Sequence, residues 1–345
     1  MKRANTKTTA DFAKYLNNFL TIYLPGRNLS ENTIVSYGDT FLLLMDYFEL
    51  KCSINREQLC VNNITVDAVN SFLKWLHDER GNSPSTCNNR LAAIKTFARF
   101  VSTKSPSFLY TAQMIRDIDA KKTPKAQIQH LTKDQTKNLI EAPDKNTPQG
   151  RRDLTMLCLL YDSAARVQEL CDLTVGSVRT QNPATVTLTG KGMKTRTVPI
   201  MSGTAKLIDS YLAENKLNYR EKLEYPLFFN HRHEKLTRAG VTYILKKYFI
   251  LAKQDDPTMP EKISPHVLRH SKAMHMLQAD THLIYIRDFL GHESVQTTEV
   301  YARADPETKR KNVERVQLEI ETDLPDWRMN KKLMEFLEEF GKTAE

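Results

Sequence analysis

Apolar residues recur every three or four positions through most of the first hundred residues, the period of one face of an α-helix. FAKYLNNFLTIYL (12–24) shows this first, and Pro25-Gly26 stops it. Ser30 is placed to cap ENTIVSYGDTFLLLMDYF and Thr65 to cap VDAVNSFLKWLHDER. Ser83 before Pro84 starts STCNNRLAAIKTFARFV with proline at the first helical position. The pattern predicts a helical domain over 10–103. It weakens from 104 to 129, where Lys121, Lys122 and Lys125 lie, and that stretch reads as an interdomain linker. Thr132-Lys133-Asp134-Gln135 has the form of a capping box ahead of a new helix. RRDLTMLCLLYDSAARVQELCDL (151–173) is helical and mostly apolar, with a break expected near Ser163. At VTLTGKGMKTRTVPI (186–200) the period changes, and two β-prone runs around Gly-Lys-Gly predict a hairpin. Helical spacing then returns in GVTYILKKYFILA, SPHVLRHSKAMHML, THLIYIRDFLG and the stretch containing Tyr301. The expected fold is mainly α with a small antiparallel β-sheet, in two domains, 10–103 and 130–320, with a tail at 321–345.

In that tail, LPDWRMNKKLMEFLEEFGK (324–342) can place Trp327, Met334, Leu337 and Phe340 on one apolar face. Docking on its own domain and docking on a neighbouring subunit both explain such a face.

Charge narrows the class of partner. The 345 residues carry a formal net charge of +9, which favours a polyanion. Residues 1–125 hold 17 Lys/Arg against 11 Asp/Glu, and residues 305–345 hold 8 against 11. Two basic blocks and an acidic tail suit a protein that grips nucleic acid with two domains. Cys52, Cys60, Cys87, Cys158 and Cys171 form no CxxC pair, which gives no sign of a disulfide framework or a thiolate zinc site. MKRANTKTTADF has no apolar signal core. The expectation is a cytoplasmic, nucleoid-associated protein with no membrane partner and no cofactor or metal.

Taken singly, the candidate site residues are ordinary. Arg166 could pair with Glu169 on a helix, Lys191 could be a solvated hairpin tip, and His266 and Arg269 share a helix face one turn apart. His292 could be a capping histidine and Tyr301 a core tyrosine. Together they suit a phosphodiester. Arginines hold two phosphate oxygens by bidentate bonds, fixed donors stabilise a charge-rich transition state, and a tyrosine can attack phosphorus.

The motifs ARVQEL, GKGMKTRTVP, HVLRH and LGHESVQTTEVYA occur in the order found in the tyrosine recombinase, or phage integrase, family in its simple Xer-like form. The resemblance spans nearly the whole chain. It implies a helical core-binding domain and an α/β catalytic domain. It implies that Arg166 and Arg269 clamp the scissile phosphate, Lys191 is the general acid, and His266 assists proton transfer. In the same way His292 would hydrogen-bond the phosphate, Tyr301 would form a 3′-phosphotyrosyl link, and Glu169 would support the site. Lys194 competes with Lys191 for the acid role, though the family pattern favours Lys191. Ala165 stands where glycine is frequent before the first arginine, Gln168 where serine is frequent, and Lys272 where an apolar or aromatic residue is usual.

The implied function is site-specific recombination of double-stranded DNA at paired sites, through a Holliday junction and a tetramer on DNA. Integration, excision or transposition of a mobile element would fit, as would resolution of replicon dimers. A silent DNA-binding regulator and a type IB topoisomerase-like enzyme are the alternatives. The full set of catalytic residue types disfavours the first, and the Xer-like motifs and the tail disfavour the second. Candidate DNA contacts are Thr33, Ser36, Asn88, Arg90, Lys95, Arg99, Lys121, Lys122, Lys194 and Lys272, most of them to phosphates that set position rather than sequence.

Overall fold

The structure, a computed structural model, describes residues 11–27, 29–123, 128–304 and 330–342. It divides into two compact units, 1–126 and 127–345.

The first unit holds helices α1 (Phe12–Asn18), α2 (Glu31–Cys52), α3 (Val66–Asp78), α4 (Pro84–Ser102) and α5 (Leu109–Arg116). The capping residues read from the sequence perform that role. Ser30, Thr65 and Ser83 accept hydrogen bonds from the backbone N–H groups of Thr33, Ala68 and Thr86, satisfying donors that the first turn leaves free. Phe12, Phe19, Phe41 and Phe97 meet edge-on or tilted in the core. The segment 104–129, expected to be a linker, differs from that expectation in its first half. There α5 buries Ala112 and Ile115, and Phe108 just before it, against the other helices. Lys125 lies outside the described residues.

The second unit opens with α6 (Lys133–Glu141), where Thr132 and Gln135 form the reciprocal cap. Helix α7 (Pro148–Asp162) and the short α8 (Val167–Cys171) are separated at Ser163, as the sequence suggested. The hairpin is present as β2 (Thr185–Thr189) and β3 (Thr195–Pro199), with Val186 opposite Val198 and Leu188 opposite Arg196. A two-residue strand β1 (Val178–Arg179) extends it to an antiparallel sheet of order β1-β2-β3. Val186, Leu188 and Val198 face the core. Then follow α9 (Ser202–Glu214), α10 (Arg238–Asp255), α11 (Pro265–Gln278), α12 (Leu283–Leu290) and α13 (Val295–Ala304).

Helix α11 has two jobs, one per face. Ser271 Oγ accepts from the Leu131 N–H at 2.8 Å, and His275 Nε2 bonds the Leu131 carbonyl at 2.9 Å. Tyr161 holds the other nitrogen of His275 at 2.8 Å. This face therefore satisfies both backbone groups of a buried residue. The opposite face carries His266, Arg269 and His270.

The tail forms a helix over Lys331–Lys342. Phe336 and Phe340 are exposed there, their rings 6.0 Å apart. Trp327, counted with this face from the sequence, lies outside the described residues, as do residues 305–329.

Candidate active site

The site is assembled at the C-terminus of α12. A helix end leaves carbonyl groups without partners inside the helix. Here three successive carbonyls each accept from an arginine: Phe289 from Arg196 Nε at 3.1 Å, Leu290 from Arg269 at 2.5 Å, and Gly291 from Arg166 at 3.2 Å. The negative end of the helix dipole suits this gathering of cations. Gly291 closes α12 at φ 64°, the left-handed conformation that glycine adopts without cost. His292 follows directly, so the turn delivers its imidazole beside the three guanidinium groups.

Glu169 binds two of these arginines from below. Its carboxylate takes both terminal nitrogens of Arg196, at 2.9 and 2.7 Å, one nitrogen of Arg166 at 2.7 Å, and the Arg166 backbone N–H at 2.8 Å. Burial alone would raise its pKa, but the bonds from Arg196 and Arg166 outweigh that and hold it at about 2. Arg166 caps α8 and keeps its side chain 39% exposed, whereas the Glu169 side chain is 3% exposed. Arg166 is thus anchored from behind and open in front. Arg269 is buried, with a second bond to the Ala164 carbonyl at 2.6 Å. Burial, then Arg166 and Arg196, bring its pKa down to about 9, which leaves it a cation at neutral pH.

Tyr301 on α13 is buried. Its hydroxyl lies 2.9 Å from His270 Nδ1, and its ring stacks on His292 with centroids 6.4 Å apart. Burial raises the phenol pKa, while Arg269 and Arg166 pull it back. His292 Nδ1 bonds the hydroxyl of Thr298, itself fully buried, at 3.0 Å. Burial and then the surrounding arginines hold His292 down at about 4. His270 is held at about 4 as well, by burial, His266 and Arg269 first. Both imidazoles are therefore neutral at pH 7. His266 is exposed, its ring 6.4 Å from that of His270.

Arg166, Glu169, Arg269, His292 and Tyr301 are thus brought together. Lys191 sits in the β2–β3 turn, which Gly192 at φ 71° makes possible; its side chain lies outside the described atoms. Lys194, one turn on, is exposed and pairs with Glu293 at 2.8 Å. Lys272 is neither solvated nor in the site. Its ammonium lies over the Tyr161 ring and 3.5 Å from Asp162.

In the first unit several proposed DNA contacts are engaged internally. Asn88 bonds both backbone groups of Lys121, Lys95 bonds the Ile118 carbonyl, and Arg90 bonds the Ser36 carbonyl and the Thr40 hydroxyl. Thr33 shares its hydroxyl with Ser30. Arg99, Lys121 and Lys122 present exposed side chains.

Arg196 and His270 were not singled out from the sequence. Both lie inside quoted motifs, GKGMKTRTVP and HVLRH. The signal for Arg196 was its alternation with Val198 on one face of β3 (inward positions that an arginine occupies only with a partner). For His270 it was the i, i+4 spacing from His266. Among the described residues no group of three or more His, Cys, Asp or Glu is placed to hold a metal ion.

Comparison with known proteins identifies the family. The family described as the phage integrase family matches residues 129–308, and its N-terminal SAM-like domain matches residues 16–104. Tyrosine recombinase XerC of Roseiflexus sp. is 33% identical over 287 residues, covering 82% of this chain and 87% of that protein. Tyrosine recombinase XerD of Halalkalibacterium halodurans is 30% identical over 287 residues, covering 83% and 91%. The fold matches that of the XerH site-specific recombinase bound to a palindromic difH substrate, with a TM-score of 0.69 at 18% identity over 91% of this chain and 98% of that one. A helical SAM-like unit, an arginine-lined site closed by a tyrosine, and kinship along most of its length make this chain a member of the phage integrase family, a tyrosine-type recombinase.

Proposed function

We propose that this recombinase breaks and rejoins duplex DNA at paired specific sites, with Tyr301 as nucleophile. The observation that carries the reading is the convergence of Arg166, Arg269 and His292 on the α12 terminus beside the Tyr301 hydroxyl. The carbonyls of Leu290 and Gly291 hold Arg269 and Arg166 in place, and the scissile phosphate takes their remaining donors. Bidentate guanidinium contacts and the neutral His292 then stabilise charge on the phosphorus oxygens as it becomes pentacoordinate. The Tyr301 oxygen attacks, the bond to the 5′-oxygen breaks, and Lys191 on its turn protonates the departing oxygen. The family resemblance gives His266 a part in proton transfer. The phosphotyrosyl bond conserves the energy of the phosphodiester, and a 5′-hydroxyl from a partner strand reverses the step.

The family resemblance supports the reading that four protomers on two sites exchange strands in pairs through a Holliday junction. The exposed apolar residues of Lys331–Lys342 suit a contact between protomers. The first unit completes the grip on DNA with Arg99, Lys121 and Lys122 as backbone contacts. Movement of a mobile element or resolution of replicon dimers is the biological setting. The test is a nicked duplex from the ends of the element or locus carrying the gene, in which the short 5′-hydroxyl fragment escapes after cleavage. Wild-type protein is expected to give a covalent adduct on a denaturing gel, and Tyr301→Phe none. An adduct that survives in Tyr301→Phe would overturn the assignment.

A further inference from the structure

We propose that His270 is the group that takes the proton from Tyr301 as the tyrosine attacks. This rests on Tyr301 being the nucleophile, and it reassigns the role that resemblance gives to His266. His270 Nδ1 is 2.9 Å from the Tyr301 oxygen, within the range over which a general base works. The His266 ring stands 6.4 Å, centroid to centroid, from that of His270. His266 is exposed to solvent, whereas His270 is partly buried between α11 and α13.

The step balances as follows. The Tyr301 O–H bond breaks and a Nδ1–H bond forms on His270. The tyrosine oxygen bonds phosphorus, the bond to the 5′-oxygen breaks, and that oxygen takes a proton from Lys191. His270 leaves the step as an imidazolium and returns the proton to the phenol oxygen at religation.

The surroundings of His270 suit a base that is neutral before the phosphate is seated. It faces Arg269 and His266 on its own helix, His130 ahead of α6, and His292 and Tyr301 from the α12–α13 side. Without phosphate, burial first and then His266, Arg269 and His130 keep it neutral, as a proton acceptor must be. A phosphodiester seated on Arg166 and Arg269 offsets their charge and makes the imidazolium easier to form. Proton transfer is then favourable when the forming O–P bond acidifies the phenol.

The experiment measures adduct formation over a range of pH on a nicked duplex that wild-type protein cleaves. The key variant is His270→Asn, whose amide oxygen can stand near the place of Nδ1 and accept the Tyr301 hydrogen bond but cannot carry off its proton. A general base contributes typically about 10²- to 10⁴-fold, so His270→Asn is expected to lose that much near neutral pH. The loss should shrink as pH rises and hydroxide replaces the base. Added imidazole should partly restore His270→Gly, which keeps the test decisive if the asparagine variant folds poorly. A 5′-bridging phosphorothiolate, whose leaving group needs no proton, should rescue Lys191→Ala but not His270→Asn.

Adduct formation by His270→Asn within about threefold of wild type, with an unchanged pH profile, would show that the contact only holds the tyrosine. A full loss in His266→Gln with His270→Asn active would return the role to His266. No adduct from wild-type protein on any bound duplex would instead overturn Tyr301 as nucleophile, and this inference with it.

Discussion

At the scale of the residue, Glu169 has the most to lose. It is a buried carboxylate whose oxygens answer two guanidinium groups and one backbone N–H. Removing one partner of a buried ion pair leaves uncompensated charge and costs about 3–5 kcal/mol. Glu169→Ala should therefore lower the melting temperature by roughly 6 °C or more, since each kcal/mol is worth about 2–4 °C in a unit of this size. It should also free Arg166 and Arg196 and weaken cleavage. A melting curve that overlays wild type would sink this account. Glu169 was legible in ARVQEL as an acid three residues from Arg166, a spacing that predicts a pair. Its second arginine was not, because Arg196 is 27 residues away and only the sheet brings it back. Backbone strain was equally hidden. Ala165 was the alanine suspected of replacing a glycine, yet it is Ala164 that takes the left-handed φ of 46° and offers its carbonyl to Arg269. Two adjacent alanines carry no mark of which one bends.

At the scale of the element, the turn after α12 sets the position of three arginines and His292 together. A Cβ at Gly291 would stand 3.0 Å from Arg196 Cδ, in addition to the strain of an alanine at φ 64°. Gly81, after α3, has the same φ of 64° and nothing within 4 Å of its added Cβ. The two positions separate backbone strain from displaced chemistry. Alanine at either should cost about 1–2 kcal/mol of stability. Only Gly291→Ala should also slow adduct formation, because only there is an arginine of the site pushed. Equal activity in the two variants would mean that Arg196 adjusts freely. The elements were mostly readable because caps and periodicity act locally: Ser30, Thr65, Ser83 and Thr132 mark helix starts by the hydrogen bonds they accept. Helix α5 escaped because it is only 8 residues long and buries just two of its own side chains. Its place in the core depends on α4, which no local window contains.

At the scale of the whole molecule, the catalytic unit gathers positive charge and then buries imidazoles within it, which ties its stability to pH. His270 and His292 have pKa values near 4 in the folded chain against an ordinary 6.5. Between those values the unfolded chain binds protons that the folded chain refuses, so stability rises with pH across the window. The contribution is fully present above about pH 6.5 and is lost as pH falls toward 4. His266 and His275 are shifted in the same direction and add to the slope. Glu169 acts lower, losing its contribution as pH falls from 4.5 toward about 2. Because the chain has two units, one global melting curve would mix their responses. Amide exchange along α11 and α13, corrected for its intrinsic pH dependence, reports on the catalytic unit alone. Protection there should fall steadily from pH 6.5 to 4 in wild type. The fall should be markedly shallower in a His270→Gln/His292→Gln double variant, which has nothing to protonate at those two sites. A double variant with the full wild-type slope would show that the acid sensitivity arises elsewhere, and that the arginine cluster exerts little pressure on the histidines packed against it.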